Sequence, residues 1–313
     1  MRAIALRGVT LIHSFDPQIL STPFGSLYWY GAVYTFGFIG VFLWFRFRRH
    51  AIGLSDRDVV NFIIVFAAGV LVGGRVFDIL VYEADFYRAR PLAALNWWNG
   101  GMASHGILLG GLIATWAFAR RRGISVLVLL DEIVVPGALL LAVGRIGNFI
   151  EGGVIGSATS MPWGFIYEDV ENPRHPVALY ESAKNILLIP ILVMAIRRWP
   201  PGKGMVVSIF VILYAALRFA VDLYRDYEAS WLGLGTGQVF NLAMAASGVA
   251  LLLLFIKFPP RIVRPKPTQS QHAGLIRVLI LFFIILYPLG IPTSWTQENI
   301  VAKRGESASP PVD

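Results

Sequence analysis

The sequence predicts an all-α integral membrane protein with seven transmembrane helices, a candidate eighth span near the C-terminus, and a polar cavity at the outer ends of the helices. Three observations predict it. Of the 313 residues, 56% are hydrophobic and only 15% charged, whereas a soluble domain carries about 25% charged residues. Apolar runs recur at 28–46, 59–82, 105–119, 124–148, 182–197, 204–223, 237–257 and 275–292, close to the roughly 20 residues needed to cross a hydrocarbon core. Basic residues gather after alternate runs, as the positive-inside rule expects of a multi-pass chain.

Those basic clusters set the orientation. Arg46, Arg48, Arg49 and Arg57 follow the first run, Arg120, Arg121 and Arg122 the third, Arg197, Arg198 and Lys203 the fifth, and Lys257, Arg261, Arg264 and Lys266 the seventh. These ends are expected in the cytoplasm, leaving the N-terminus and the loops 83–104, 149–181 and 224–236 outside. Tyr28, Trp29, Tyr30 and Tyr34 cluster at the first outer end, and Trp97, Trp98, Trp163 and Tyr167 sit in outer loops, where amphipathic rings suit the bilayer interface. The expected division is a seven-span core over 1–258, a cytoplasmic linker over 259–274, a candidate additional transmembrane helix over 275–292 and a disordered polar tail over 293–313.

The first apolar run starts near Tyr28 without an early basic region or a small-residue cleavage site, so no secretory signal peptide is expected. The chain contains no cysteine, which excludes disulfides, a thiolate nucleophile of its own and thiolate metal sites. No metal or cofactor is expected. The net charge of +8 suits topology and contact with anionic lipid; a nucleic-acid partner is not expected.

Polar groups near a helix end within the membrane are the functional signal, because an ionisable side chain there costs about 2.5–3.5 kcal/mol on insertion scales unless it meets a partner, a cavity or a ligand. The stretch Gly144-Arg145-Ile146-Gly147-Asn148-Phe149-Ile150-Glu151-Gly152-Gly153 closes the fourth run. Arg145 offers a planar fork for phosphate or carboxylate, against the alternative of a structural pair with Glu151. His105 opens the third run and can take a proton near neutral pH, or merely cap the helix. Arg174-His175-Pro176 with Tyr180-Glu181 reads as a structural helix entrance. Tyr214, Arg218, Asp222 and Arg225 fall on one helical face. Gly73-Gly74-Arg75 with Asp78 reads most simply as a self-satisfied ion pair. Two arginines on different spans with a histidine, an asparagine and tyrosines point to an anionic lipid head group, without saying whether it is cleaved, moved or bound.

Several of these motifs together resemble the bacterial prolipoprotein diacylglyceryl transferase family, over about Asp16 to Lys257. They are Asp16-Pro17, Tyr28-Trp29-Tyr30-Gly31, Gly73-Gly74-Arg75, Gly100-Gly101-Met102 with His105-Gly106, Gly144-Arg145-Ile146-Gly147-Asn148-Phe149, Arg174-His175-Pro176 with Leu179-Tyr180-Glu181, Tyr214 with Arg218, and Gly237-Gln238. The resemblance implies a seven-span core with a periplasm-facing lipid cavity in the bacterial inner membrane. It also implies transfer of the diacylglyceryl group of phosphatidylglycerol to the lipobox cysteine of a preprolipoprotein signal peptide, with release of glycerol phosphate. It assigns the phosphate to Arg145 and Arg218, orientation of the head group to Asn148 and Tyr30, the candidate base to His105, support of the arginines to Tyr214, and close backbone approach to the substrate to Gly156. A monomer is expected.

The chain departs from the family pattern in three places. Glu151-Gly152-Gly153 stands where asparagine-glycine-glutamate is usual, making Glu151 a candidate substitute for the displaced carboxylate. Asp222 stands for a glutamate, and one glycine rather than two follows His105. The alternatives are a divergent member that binds anionic lipid with weak activity or another acceptor, a lipid transporter, and a structural subunit. A transporter calls for inverted repeats and polar groups at mid-membrane; a structural subunit is favoured if Arg145 and Arg218 lie on opposite faces of the bundle.

Overall fold

Backbone in a bilayer is satisfied only by helices or a closed barrel, and the computed structural model takes the helical solution: an all-α integral membrane protein with two small two-stranded sheets. It describes residues 11–22, 25–95, 104–152, 154–167, 170–225, 233–263 and 273–290. The Gly100-Gly101-Met102 motif, Trp97, Trp98, most of the cytoplasmic linker and the 293–313 tail lie outside the described residues.

The helices are α1 (Trp29–Ile52), α2 (Asp56–Phe77, continued by a π-helical turn Asp78–Tyr82), α3 (Ala84–Ala89), α4 (Ser104–Arg122), α5 (Val126–Ile150), α6 (Val177–Arg198), α7 (Met205–Asp222), α8 (Thr236–Lys257) and α9 (Leu275–Leu286, continued by a 3₁₀ turn Tyr287–Gly290). Strand β1 (Leu11–Ile12) pairs in parallel with β4 (Phe165–Ile166), and β2 (Gln18–Thr22) forms a hairpin with β3 (Gly25–Tyr28). Six helices, α1, α2, α5, α6, α7 and α8, are long and apolar enough by themselves to cross a membrane. The predicted third and eighth spans fall outside that six: α4 carries Arg120, Arg121 and Arg122 in its last turn, and the α-helical part of α9 has 12 residues, about 18 Å at 1.5 Å per residue.

Helix ends follow local chemistry. Gly53, at φ 77, closes α1 by returning its N–H to the carbonyls of Arg49 and His50. Ser55 and Asp58 form a reciprocal capping box at the start of α2. Helix α6 begins at Val177, five residues ahead of the apolar run, because Pro176 occupies its cap and a first turn tolerates proline there. This places Tyr180 and Glu181 inside the helix.

The pair α2/α4 is built on glycine. Gly69 and Gly73 face Gly106 and Gly110, and a Cβ on Gly69 would lie 2.6 Å from the Gly110 carbonyl oxygen, while one on Gly73 would lie 2.7 Å from the Gly110 Cα. Without a hydrophobic driving force between helices in lipid, such close backbone approach is what holds them together. At the opposite end of α4 from Gly106 the same pair is tied by Arg122 to Asp58 at 2.8 Å. Gly110→Leu is expected to force the two helices apart and destabilise the protein by about 1–3 kcal/mol or more. A thermal melt of the detergent-solubilised variant at the parental temperature would contradict this.

Two buried carboxylates join the rest. Asp131 of α5 accepts from the backbone N–H groups of Gly202, Gly204 and Val207 at 2.9, 2.9 and 3.0 Å, so α5 caps the start of α7. Its neighbour Glu132 accepts from Arg48 at 2.9–3.2 Å and from the Trp44 indole at 2.9 Å, tying α5 to α1. Helix α9 lies on the outside of α1 and α2. Its Leu281 and Ile285 enter the core of Phe45, Phe62 and Ile63, and the Pro288 carbonyl occupies the space a side chain at Gly31 would need.

Candidate functional site

The C-terminal ends of α5 and α7 and the N-terminal end of α6 bring six charged side chains together. Glu181, in the first turns of α6 and fully buried, is the hub. Its Oε1 ion-pairs with Arg218 of α7 and lies 3.3 Å from the Arg225 guanidinium; its Oε2 lies 3.5 Å from Lys184 Nζ and 3.8 Å from Arg145 Nε of α5. Asp222 takes Arg218 Nε at 3.3 Å and Arg225 Nε at 3.6 Å, and accepts from the Asn241 amide of α8 at 2.8 Å. Four cations thus surround two carboxylates. The carboxylates are sealed, whereas Arg145 and Arg218 keep 26% and 17% of their side chains accessible. The cations therefore form the accessible edge of the cluster.

The signature on α5 seats this edge. Arg145 donates to Asn148 Oδ1 at 3.4 Å, and Gly144 and Gly147 lack side chains for a steric reason. A Cβ on Gly144 would lie 3.0 Å from the Tyr34 hydroxyl, and one on Gly147 would lie 3.1 Å from the Tyr30 ring. Tyr30 and Tyr34, with ring centroids 4.9 Å apart and their hydroxyls hydrogen-bonded at 3.3 Å, can therefore lie directly on α5. Lys184 is 4% exposed in its side chain; its Nζ donates to Asn185 Oδ1 at 3.1 Å and sits 3.8 Å above the centre of the Tyr214 ring.

The other predicted residues are placed as follows. His105 opens α4, exposed, with its ring over Phe77 of α2 at 6.0 Å between centroids, so the glycine-packed α2/α4 pair sets its position. Glu151 is the half-buried C-cap residue of α5. Gly156 faces protein: a Cβ there would lie 2.7 Å from the carbonyl oxygens of both His175 and Tyr224, and its N–H donates to His175 O at 3.0 Å. Its lack of a side chain lets the loop between α5 and α6 fold onto the end of α7.

That loop is locked by aromatic groups. The Trp163 indole donates to the Tyr180 hydroxyl at 2.7 Å, which lies 3.0 Å from His175 Nδ1; with its oxygen accepting from Trp163, Tyr180 is free to donate to the imidazole. Burial lowers the His175 pKa below its ordinary value, favouring the neutral ring that can accept. On the other side His13 reaches the Phe149 carbonyl at 2.5 Å and stacks on Tyr167 at 4.9 Å. Burial, with Tyr180 nearby, pushes the Tyr167 phenol up to about 12.

Three expectations are revised by this geometry. The carboxylate partner of Arg145 is Glu181, on α6, in place of the Glu151 considered from sequence. Glu181, read as part of a structural helix entrance, is the centre of the cluster, and its α6 neighbour Lys184, absent from the sequence reading, belongs to it. Arg75 donates to the carbonyls of Ala93 and Ala94 at 2.8 and 3.2 Å, while Asp78 accepts from the Tyr87 hydroxyl at 3.1 Å; this group holds the segment that follows α2 against that helix. Arg145 and Arg218 share one counter-ion, which removes the condition that favoured a structural subunit.

Comparison with known proteins gives a consistent result. The family model for prolipoprotein diacylglyceryl transferase matches residues 17–254. A protein of Cupriavidus pinatubonensis is 36% identical over 277 residues, 84% of this chain and 100% of its own length. One of Methylibium petroleiphilum is 38% identical over 256 residues, 77% of this chain and 97% of its own. One of Legionella pneumophila is 36% identical over 238 residues, 73% and 93% respectively. All three are named phosphatidylglycerol–prolipoprotein diacylglyceryl transferase.

Proposed function

Because the chain belongs to the prolipoprotein diacylglyceryl transferase family, we propose that it moves the diacylglyceryl group of phosphatidylglycerol onto the lipobox cysteine of preprolipoproteins, the first step of lipoprotein maturation. The cysteine thiol loses its proton, and its sulfur forms a bond to the glycerol carbon attached to phosphate. The carbon–oxygen bond to phosphate breaks, and its electron pair leaves on glycerol phosphate. The observation that carries this reading is the convergence of Arg145 and Arg218 on Glu181, with their outer edges accessible.

A preorganised cation acts best where charge develops, in a water-poor site. Arg145 and Arg218 hold the phosphate and stabilise the departing oxygen. Asn148 and Tyr30 orient the head group beside them, and Tyr214 supports the arginine cluster from α7. His105 is the candidate base, with a modest demand on it: a thiol of ordinary pKa near 8.5 is already partly ionised beside two guanidiniums. Gly156 contributes by closing the outer loop over the site, and Glu151 is the candidate substitute for the displaced family carboxylate. The seven-span core lies in the bacterial inner membrane as a monomer, with the site on the periplasmic side and α9 as an additional transmembrane element.

The deciding experiment is transfer from labelled phosphatidylglycerol to a lipobox peptide by the purified protein, against a peptide with serine in place of cysteine. Thioether product on the cysteine peptide alone is expected. Folded, lipid-binding protein that forms none would move the reading to a divergent lipid-binding member.

A further inference from the structure

We propose, resting on the transferase reading above, that Lys184 is a positioning residue that sets the charge of the phosphate site: its ammonium holds Glu181 so that Arg145 and Arg218 can turn to the phosphate. A buried carboxylate competes with a ligand for the same guanidiniums. Glu181 meets three arginines, and with Asp222 it would leave three arginines a net charge of only one. Lys184 changes both terms. It shares Oε2 with Arg145, at 3.5 Å against 3.8 Å, and as a fourth cation it raises the net charge to two.

That second charge has a use in the reaction. The phosphodiester of the donor carries one negative charge, while the phosphate monoester released carries up to two, its second pKa lying near 6. The charge that appears as the carbon–oxygen bond breaks is the one a surplus cation stabilises. Position makes Lys184 suited to act through its neighbours and not by touching the ligand. Its side chain is 4% exposed, its Nζ is fixed by Asn185 and lies on the face of Tyr214, and a cation over an aromatic ring is itself stabilised when desolvated. One lysine thereby orders Glu181 and Tyr214 together. A lysine buried in a membrane span is otherwise an expensive choice.

The test uses the full chain in detergent micelles with phosphatidylglycerol and a cysteine lipobox peptide, comparing the parent with Lys184→Met, Lys184→Arg and the double variant Glu181→Gln, Lys184→Met. Lys184→Met is expected to lower kcat about tenfold to a hundredfold with KM for the peptide unchanged, and to weaken inhibition by added glycerol phosphate about tenfold. Lys184→Arg keeps both close to parental. The double variant, which removes one charge of each sign and so restores the net charge, exceeds Lys184→Met in rate. Parental kcat and parental glycerol phosphate inhibition in Lys184→Met would overturn the assignment while leaving the transferase reading intact. A Lys184→Arg as impaired as the methionine variant would also overturn it, since packing rather than charge would then be at stake. Should Lys184→Met fail to fold by size exclusion, the arginine and double variants decide: an active pair supports the role and an inactive pair overturns it. A parent that forms no product overturns both readings.

Discussion

Replacing either Arg145 or Arg218 with alanine is expected to lower transfer by about 10³-fold or more, with the fold retained. The size follows from the step being catalysed. A positioned cation at a departing phosphate oxygen is worth about 10²–10³ in rate as a single donor and about 10³–10⁵ where an arginine neutralises a transferring phosphoryl group. Both guanidiniums are partly accessible and both are anchored on the buried Glu181, so each is already aimed when lipid arrives. Retention of fold is expected because each variant leaves Glu181 with other cations. Lysine in either place is expected to recover only part of the rate, since a point charge does not reproduce the planar two-pronged contact of guanidinium. Labelled thioether product, measured at saturating lipid and peptide, is the check; a parental rate in either alanine variant would remove that arginine from the site.

Glu181→Ala is the second large effect, and it is expected in stability as well as activity. The carboxylate is fully buried and meets cations from α5, α6, α7 and the segment after α7. Truncation to alanine removes the acceptor atoms of four cations and leaves them facing one another around Asp222, whereas glutamine combined with Lys184→Met keeps an acceptor oxygen and takes away one of the cations. Breaking a buried pair from one side costs about 3–5 kcal/mol because the remaining charges go uncompensated, and here more than one is released. The expected outcome is a lower melting temperature for the purified protein together with loss of transfer. Glu181→Ala protein that melts and reacts as the parent does would show that the arginines are held by something else.

The residues themselves show how far the sequence could be read. The spans were legible because each run of about 20 apolar residues has one way to satisfy its backbone in lipid. Arg145, Asn148 and Arg218 were legible because polar groups in such runs stand out. The α6 boundary was not: an apolar window discounts the polar first turn that Pro176 starts, and so left Glu181 in a loop. Its role as hub was beyond reach, since its arginine partners lie 36 to 44 positions away in the chain. Lys184 and the pair Asp131-Glu132 were within reach, for the intramembrane-charge signal that marks Arg145 marks them equally. The spacing of Gly69 with Gly73 and of Gly106 with Gly110 likewise spelled out a close helix pair.

The contact between Gly31 and Pro288 joins the first helix to the last described segment, and this sets a schedule for biogenesis. The notch at Gly31 emerges from the ribosome before the turn that fills it, which follows roughly 250 residues later, at about 5–20 residues per second. For roughly 13–50 s the face of α1 next to Tyr30 is open to lipid or to the insertion machinery, and the wall beside Tyr30 is completed only when the Pro288 turn arrives.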